Sequence, residues 1–345
     1  MLRGKKRMMD DFDESNFNAL TIKSFSPQKL FHLNGRSSTV FHYTSPEACL
    51  QILRSKCIRF SDVQYMNDRA ETIYGVKVVL DFLEKQGKDF PNCFEFVGDL
   101  LKYNDLSKIR NLTVDRIIYD SSSDNRERRQ FVFCTSTDSD SLSMWNYYVH
   151  NGMYQGYNIG FNIFKFLRTF DTDSSQDMNS FMVYYGKVLY SQKRQFEEIK
   201  HFFMETEKQF KDFSTKDREW AEDWIKSDIK NKLRLYGLFF KHPAFQHEKE
   251  FRVVVATMDK QIPRSQDDAN RYFGKNNRHI IEDYYTRGGV IVPYLRIMLP
   301  DNCISHITIS PTTEVEIAER SLREVADISG FKNVQYTHSC IPIRY

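Results

Sequence analysis

Residues 39–62 read TVFHYTSPEACLQILRSKCIRFSD, and this stretch sets the expected fold class. Val40, Phe41 and Tyr43 carry the β-branched and aromatic side chains of a strand. Ser45, Pro46 and Glu47 then supply an N-cap, a proline for the first helical position and a first-turn acid, so a helix begins here. Leu50 and Leu53 lie three apart on its expected apolar face, with Ile52 beside them. CIRFSD reads as a second short strand.

Working outward, MNDRAETIYGVKVVLDFLEKQ reads as a loop leading into a helix, and residues 92–128 as mostly helical and polar, ending in the solvated DSSSDNRERRQ. FVFCTST (131–137) has the continuous apolar character of a buried strand. DSLSMWNYYVHNG has helix character with a glycine stop, and YNIGFNI alternates like a strand. From about 192 to 237 runs a charged amphipathic segment with Trp220 and Trp224, read as a helical insertion. EFRVVV, GGVIVPYL and ISHITISP return to strands, and a helix over Val315–Ile328 and a strand in NVQYTHSCI close the chain. Helices and strands mix without regular βαβ alternation, so the expected class is α+β rather than a doubly wound sheet. Residues 1–38 switch from basic to acidic and read as an extension, partly ordered at best, before a single domain over 39–345.

The 345 residues are 41% hydrophobic and 14% aromatic, enough to bury a substantial core. A formal charge of +3 neither demands nor excludes a nucleic-acid partner, because clustering matters more than the sum. The six cysteines form no CxxC pair, and the N-terminus has no apolar leader, so a reducing cytoplasmic compartment is expected. No stretch approaches the roughly 20 apolar residues of a membrane span. Phosphate-loop, dinucleotide, zinc-protease and serine-hydrolase motifs are absent, and His242 and His247 alone make a poor zinc pair, so no metal is expected.

Chemistry concentrates in three places. In HPAFQHEKEFRVVV (242–255), strand alternation would put Glu248 and Glu250 on one side and Lys249 on the other. Two carboxylates that close raise each other's cost of ionisation, so the pair either does chemistry, binds a cation or lies in water. His42 ends a strand before a well-capped helix, where an anionic ligand is favoured; the competing reading is a core histidine bonded to backbone. In FCTSTDSDSLSMWNYY, hydroxyls at a strand end stand near Met144, Trp145, Tyr147 and Tyr148, a composition that can hold a ribose and a flat heterocycle or can simply cap a turn and fill a core.

The order of these segments resembles the bacterial domain of unknown function 2971 family over about 40–345. The shared features are a His-Tyr-Thr strand, Asn67, Asp68 and Glu71, a Cys-x-Ser to Met-Trp segment, and a Glu-x-Glu-x-Arg strand. HYTSPEACLQILRSKCIRF is further similar to the first strand–helix–strand unit of ADP-ribosyltransferases, in the toxin and tRNA 2′-phosphotransferase branches. Cys57 departs from that pattern, where glycine is frequent.

This second resemblance implies an α+β fold with a split mixed sheet, and NAD as co-substrate. It places His42, a residue among Thr135 to Thr137 (Ser136 being the choice), and Glu248 or Glu250 in the triad. Glu250 would be the transition-state carboxylate and Glu248 would orient the acceptor, with the two roles exchangeable. His42 would donate to an adenosine ribose hydroxyl, and backbone near Tyr43 and Thr44 would hold the amide. Tyr43 or Trp145 would stack on nicotinamide, and Arg59 and Arg69 would meet the pyrophosphate. The acceptor would be RNA or DNA ahead of protein, with Arg126, Arg128 and Arg129 and the tryptophan-bearing segment as candidate contacts. The implied role is a toxin or phage-defence effector neutralised by a partner protein. An NAD glycohydrolase and a non-enzymatic nucleotide sensor or adaptor are the rival readings.

Overall fold

The structure, a computed structural model, describes residues 39–66, 69–100, 128–149, 154–170, 181–212, 218–258, 262–273 and 280–342. The expected N-terminal extension and the polar segment near DSSSDNRERRQ lie outside these residues. The fold is α+β: ten strands form one mixed sheet, with helices on both faces.

The opening unit forms as the local signals dictate. Strand β1 (Thr39–Thr44) leads to helix α1 (Pro46–Ser55), whose Ser45 Oγ accepts from Ala48 N at 3.2 Å. Lys56 ends the helix in a left-handed conformation, and β2 (Cys57–Asp62) follows. The buried face of α1 is Cys49, Ile52 and Leu53, whereas Leu50 is 37% exposed. The expected Leu50–Leu53 stripe is therefore displaced by one position, because the helix presents its i, i+3, i+4 set starting at Cys49.

Next come α2 (Arg69–Gln86) and α3 (Pro91–Leu100), then β3 (Arg128–Ser136), α4 (Leu142–Tyr148), β4 (Tyr157–Asn162), α5 (Ile163–Leu167) and β5 (Phe181–Lys187). Helices α6 (Gln192–Asp212) and α7 (Arg218–Phe239) precede β6 (Glu250–Met258) and α8 (Gln266–Phe273). Strands β7 (Ile280–Arg287), β8 (Val290–Met298) and β9 (Ile304–Ile309), helix α9 (Val315–Ile328) and β10 (Gln335–His338) complete the order. Strands β5 and β7 have no counterpart in the sequence reading. The two-residue turn between β7 and β8 is Gly288–Gly289, with φ of +56° and +79°, values that favour glycine.

The sheet runs β10-β9-β4-β1-β3-β2-β8-β7, with β6 also paired to β3, and β5 paired to β6. Strand β3 is the hinge. One edge pairs with β6 along its whole length, from Arg128↔Met258 to Ser136↔Glu250. The other edge is shared, with β2 pairing at Phe131 and Val132 and β1 pairing at Ser136. Between those contacts β1 and β2 splay apart, and the sheet is split over Phe133, Cys134 and Thr135.

Both faces of β3 are covered, which explains its unbroken apolar run. Phe131 and Phe133 face one core with Phe60, Phe161 and Phe166, closed by α1, α5 and α9. Val132 and Cys134 face a second core built from Val79, Phe82, Phe203, Ile229 and Phe239 on α2, α6 and α7. The segment read as an insertion is thus a structural layer of the domain. Its approach is close: a Cβ on Gly75 of α2 would stand 2.3 Å from the Tyr236 carbonyl oxygen of α7. On the same layer, Glu207 of α6 accepts from Cys93 N at 2.8 Å and Asn92 Nδ2 at 2.7 Å, capping the start of α3. Among the described residues no helix is long and apolar enough to cross a membrane.

Candidate functional site

The split in the sheet opens into a cleft of about 790 Å³, lined among others by His42, Cys134, Lys241, Glu248, Glu250 and Arg252. A second hollow of about 810 Å³ lies beside α1 and shares His42, Arg59, Ser61 and Phe133 with the first. Each volume falls in the range of about 300–1,000 Å³ usual for small-molecule sites.

His42 is placed by the split itself. Where β1 leaves β3, His42 Nδ1 donates to the Cys134 carbonyl at 3.2 Å. The ring packs 4.9 Å from Phe133. Burial pushes the imidazole down to about 4, against the smaller opposing effect of that carbonyl. His42 is therefore neutral near pH 7, and with Nδ1 as the donor, Nε2 is an acceptor. With its donor nitrogen already given to that carbonyl, the neutral ring has an acceptor, Nε2, to offer a ligand in place of the expected donor.

The two glutamates converge, but not by strand alternation. Glu248 ends a 3₁₀ turn (Pro243–Glu248), Lys249 is left-handed with φ of 46°, and Glu250 is the first residue of β6. His242 Nδ1 starts that turn by accepting from Ala244 N at 3.2 Å, with Pro243 in the first position. The end of β3 fixes the turn's backbone: Ser136 Oγ donates to the Glu248 carbonyl at 2.7 Å, and Thr137 N donates to the Lys249 carbonyl at 2.9 Å. The left-handed residue lets two consecutive acids point inward while Lys249 reaches out to Asp138 at 2.8 Å.

What joins the carboxylates is Lys241, just past α7. Its Nζ donates to Glu248 Oε2 at 2.5 Å and to Glu250 Oε2 at 3.2 Å. Arg252 Nη2 donates to the same Glu250 oxygen at 2.7 Å, and Nη1 to the Leu238 carbonyl at 2.7 Å. All four residues are 5% exposed or less. Two anions and two cations balance, as buried charge requires. Tyr148 donates to Glu248 Oε1 at 3.2 Å; burial, followed by the charges of Glu248 and Glu250, pushes its phenol well above the ordinary value.

The remaining expected residues divide. Arg59 lines both hollows, donating to Gln51 Oε1 at 2.6 Å and lying 5.3 and 5.2 Å from the rings of Tyr285 and Tyr294. Thr44 lines the second hollow. Tyr43 is in the cleft wall, but only 4% exposed; its hydroxyl donates to the Asp138 carbonyl and accepts from Ser141 N. Trp145 is fully buried, packed edge-on against Tyr43, with its indole N–H given to Asp140 at 2.7 Å. It supports α4 and is placed where no ligand ring can stack on it. Ser136 is fully buried and holds the Glu248 backbone, so it too stands behind the cleft.

The side chains of Arg69 and Glu71, and the residues Asn67, Asp68 and Arg126, lie outside the described structure, as does the side chain of Arg128. Arg129 is committed inward, to Asp62 and Glu282, and is not available to a nucleic acid.

Sequence reasoning did not single out Lys241, Phe245 or Arg287, whereas it named Tyr147 and Tyr148 among the aromatics that could meet a flat heterocycle. Tyr147, Tyr148 and Phe245 are 64%, 44% and 37% exposed and form an aromatic rim beside the carboxylates. The one available signal for Lys241 was a lone cation between Phe239-Phe240 and Pro243, seven and nine residues before the acids. Among the described residues no group of three or more metal-ligating side chains gathers, and no disulfide joins the six cysteines.

The family described as "Protein of unknown function (DUF2971)" matches residues 144–253. That span holds the aromatic rim, Lys241, both glutamates and Arg252, whereas His42 and Arg59 fall outside it. No curated protein matches the chain. No solved structure matches it either.

Proposed function

We propose that this protein cleaves the nicotinamide–ribose bond of NAD and transfers ADP-ribose to a macromolecule, on an ADP-ribosyltransferase-like split sheet. The observation that carries the reading is the convergence of His42 with Glu248 and Glu250, from stretches two hundred residues apart, on one cleft at the split. A perturbed histidine and a buried acid pair in a concave site are what bond-cleaving chemistry needs.

In this reading His42 Nε2 accepts a hydrogen bond from a ribose hydroxyl, and Arg59 and Arg287 face the pyrophosphate. The aromatic rim stacks on the nicotinamide, in place of Tyr43 or Trp145. The bond from C1′ to the nicotinamide nitrogen breaks, and its electron pair leaves with neutral nicotinamide. Positive charge spreads over the ribose, and Glu250, held rigid by Arg252 and Lys241, stabilises it. The acceptor's hydroxyl or amine attacks C1′, and its proton passes to Glu248.

The resemblance stated above puts nucleic acid ahead of protein as acceptor, and a toxin or defence role with a neutralising partner protein. With Arg129 sequestered, the exposed rim is where bases of a single strand would stack.

The test is incubation of the purified protein in cognate cell extract with NAD labelled in the adenylate phosphate. Label that nuclease releases supports transfer to nucleic acid, and label that protease releases supports a protein acceptor. Free labelled ADP-ribose alone would make the protein a glycohydrolase. NAD bound but intact would make it a nucleotide sensor or adaptor and overturn the transferase reading.

A further inference from the structure

We infer that Lys241 is a positioning residue of the cleft, which holds Glu248 and Glu250 together as an ionised pair, and that the α6–α7 layer delivers it there. The functional part of this inference rests on the NAD-cleaving reading above.

The lysine is built into the site. It is 3% exposed, lines the cleft, reaches both carboxylates, and lies 4.9 Å from the Phe245 ring centroid. Its backbone is pinned as well: Lys241 N donates to the Leu189 carbonyl at 3.1 Å. Gln195 of α6, fully buried, donates through Nε2 to both the Leu189 and Lys241 carbonyls, at 2.6 and 3.2 Å. Tyr74 of α2 donates in turn to Gln195 Oε1 at 3.1 Å. Groups on α2 and α6 thus help fix the backbone of Lys241 just past α7.

The physical reason for holding it is the acid pair. Two carboxylates sharing a site oppose each other's ionisation, and a cation bonded to both removes that opposition. Arg252 donates to Glu250 and to the Leu238 carbonyl, and Lys241 donates to both acids. From the neighbouring elements, the phenol of Tyr148 faces Glu248, and the Tyr190 hydroxyl accepts from Glu250 N. Tyr43, Tyr147, Cys134, His247 and the neutral His42 are further titratable groups of the lining, which also carries Arg59 and Arg287. Lys241 and Arg252 place positive charge in direct contact with the two carboxylates.

The experiment compares the full-length wild type with Lys241→Met, Lys241→Arg and the double variant Lys241→Met/Glu248→Gln. Thermal melting from pH 5 to 9 and the pH profile of NAD cleavage are recorded for each. Without the cation one carboxylate takes up a proton on folding, so its contribution to stability is kept at low pH and lost as pH rises. Lys241→Met should therefore melt below wild type at pH 8, with the gap closing toward pH 5, and the double variant should recover most of it. The acid limb of NAD cleavage should move up by about one unit, a roughly tenfold loss at pH values below the wild-type limb's midpoint. Lys241→Arg should keep both profiles near wild type.

A melting gap of the same size at every pH, unrepaired by Glu248→Gln, overturns the inference. If Lys241→Met fails to fold, the double variant decides: folding supports the inference and failure to fold overturns it. If wild type cleaves no NAD, the transferase reading falls, and the melting series still decides whether Lys241 holds the pair.

Discussion

Two charge clusters in this molecule each set two buried acids against two basic residues, in different surroundings. In the cleft, Glu248 and Glu250 meet Lys241 and Arg252. Elsewhere, Asp62 of β2 and Glu282 of β7 share Arg129 of β3, with Arg264 adding a second contact to Glu282 at 3.1 Å. Arg129 gives Nε and Nη2 to Asp62 Oδ2 at 3.0 and 2.8 Å, and lies 4.8 Å from the Phe131 ring. Asp62 is also spoken for by Gln64 N at 2.9 Å. The second cluster ties three strands together and borders neither hollow described above. The first borders the cleft at the split, which His42 also lines. An acid pair is therefore assigned a role by what its open side meets, since charge balance alone describes both clusters equally well.

The largest expected effect breaks the comparison at the level of chemistry. Glu250→Gln should lower NAD cleavage by about a thousandfold with NAD affinity nearly unchanged, the loss associated with removing one transition-state electrostatic partner. Glu282→Gln should leave turnover within about twofold and lower the melting temperature instead, because it touches only the strand lock. Steady-state kinetics with equilibrium NAD binding for both variants is the check, and equal losses would erase the distinction.

Next in size is Arg129→Met. It leaves Asp62 and Glu282 without their shared cation, a change that typically costs about 3–5 kcal/mol. Burial already pushes the Asp62 carboxyl up, with Arg129 opposing that effect, so the loss should be greatest at alkaline pH. Denaturant melts at pH 5 and 8 measure it.

The smallest effect comes from an acid with no such balance. Asp228 of α7 is 8% exposed, its Oδ1 has no hydrogen-bond partner, and burial pushes its carboxyl up to about 6. A raised carboxyl favours folding while protonated, and that contribution disappears as pH rises through 6. Asp228→Asn should stabilise the protein at pH 8 by about 1–3 kcal/mol and change little at pH 4. Melts at those two values test it. A loss of stability at pH 8 would mean that the Lys232 charge four residues on matters more than burial.

Much of the fold was legible because its signals are short-range. Ser45-Pro46-Glu47 starts α1 where expected, and Val315–Ile328 forms α9 with Ala318, Leu322 and Ala326 buried. FVFCTST reads as buried and is, since both faces of β3 are covered. Other elements carry weaker codes. In β7, IIEDYYTR mixes buried Ile280, Ile281 and Glu282 with exposed Tyr284, and Glu282 makes sense only once Arg129 stands opposite. The charged stretch near 192–237 resembles a solvated appendage because its apolar side chains are diluted by lysine and glutamate, yet Phe203, Ile229 and Tyr236 are core.

The candidate site divides along the same line. The sequence by itself determined that a histidine ends a strand before a capped helix, that two acids flank one residue at the mouth of an apolar strand, and that the class is α+β. These follow from residue type and local spacing. Only the tertiary structure decided that β1 and β2 part over β3, that His42 accepts, that Trp145 and Ser136 stand behind the cleft, and that Lys241 joins the acids. Those depend on strand register and on contacts that local patterns do not encode. His42 and Cys134 are 92 residues apart and Ser136 and Glu248 112. Even Lys241, seven and nine residues before the acids, meets them through a turn whose backbone the end of β3 holds.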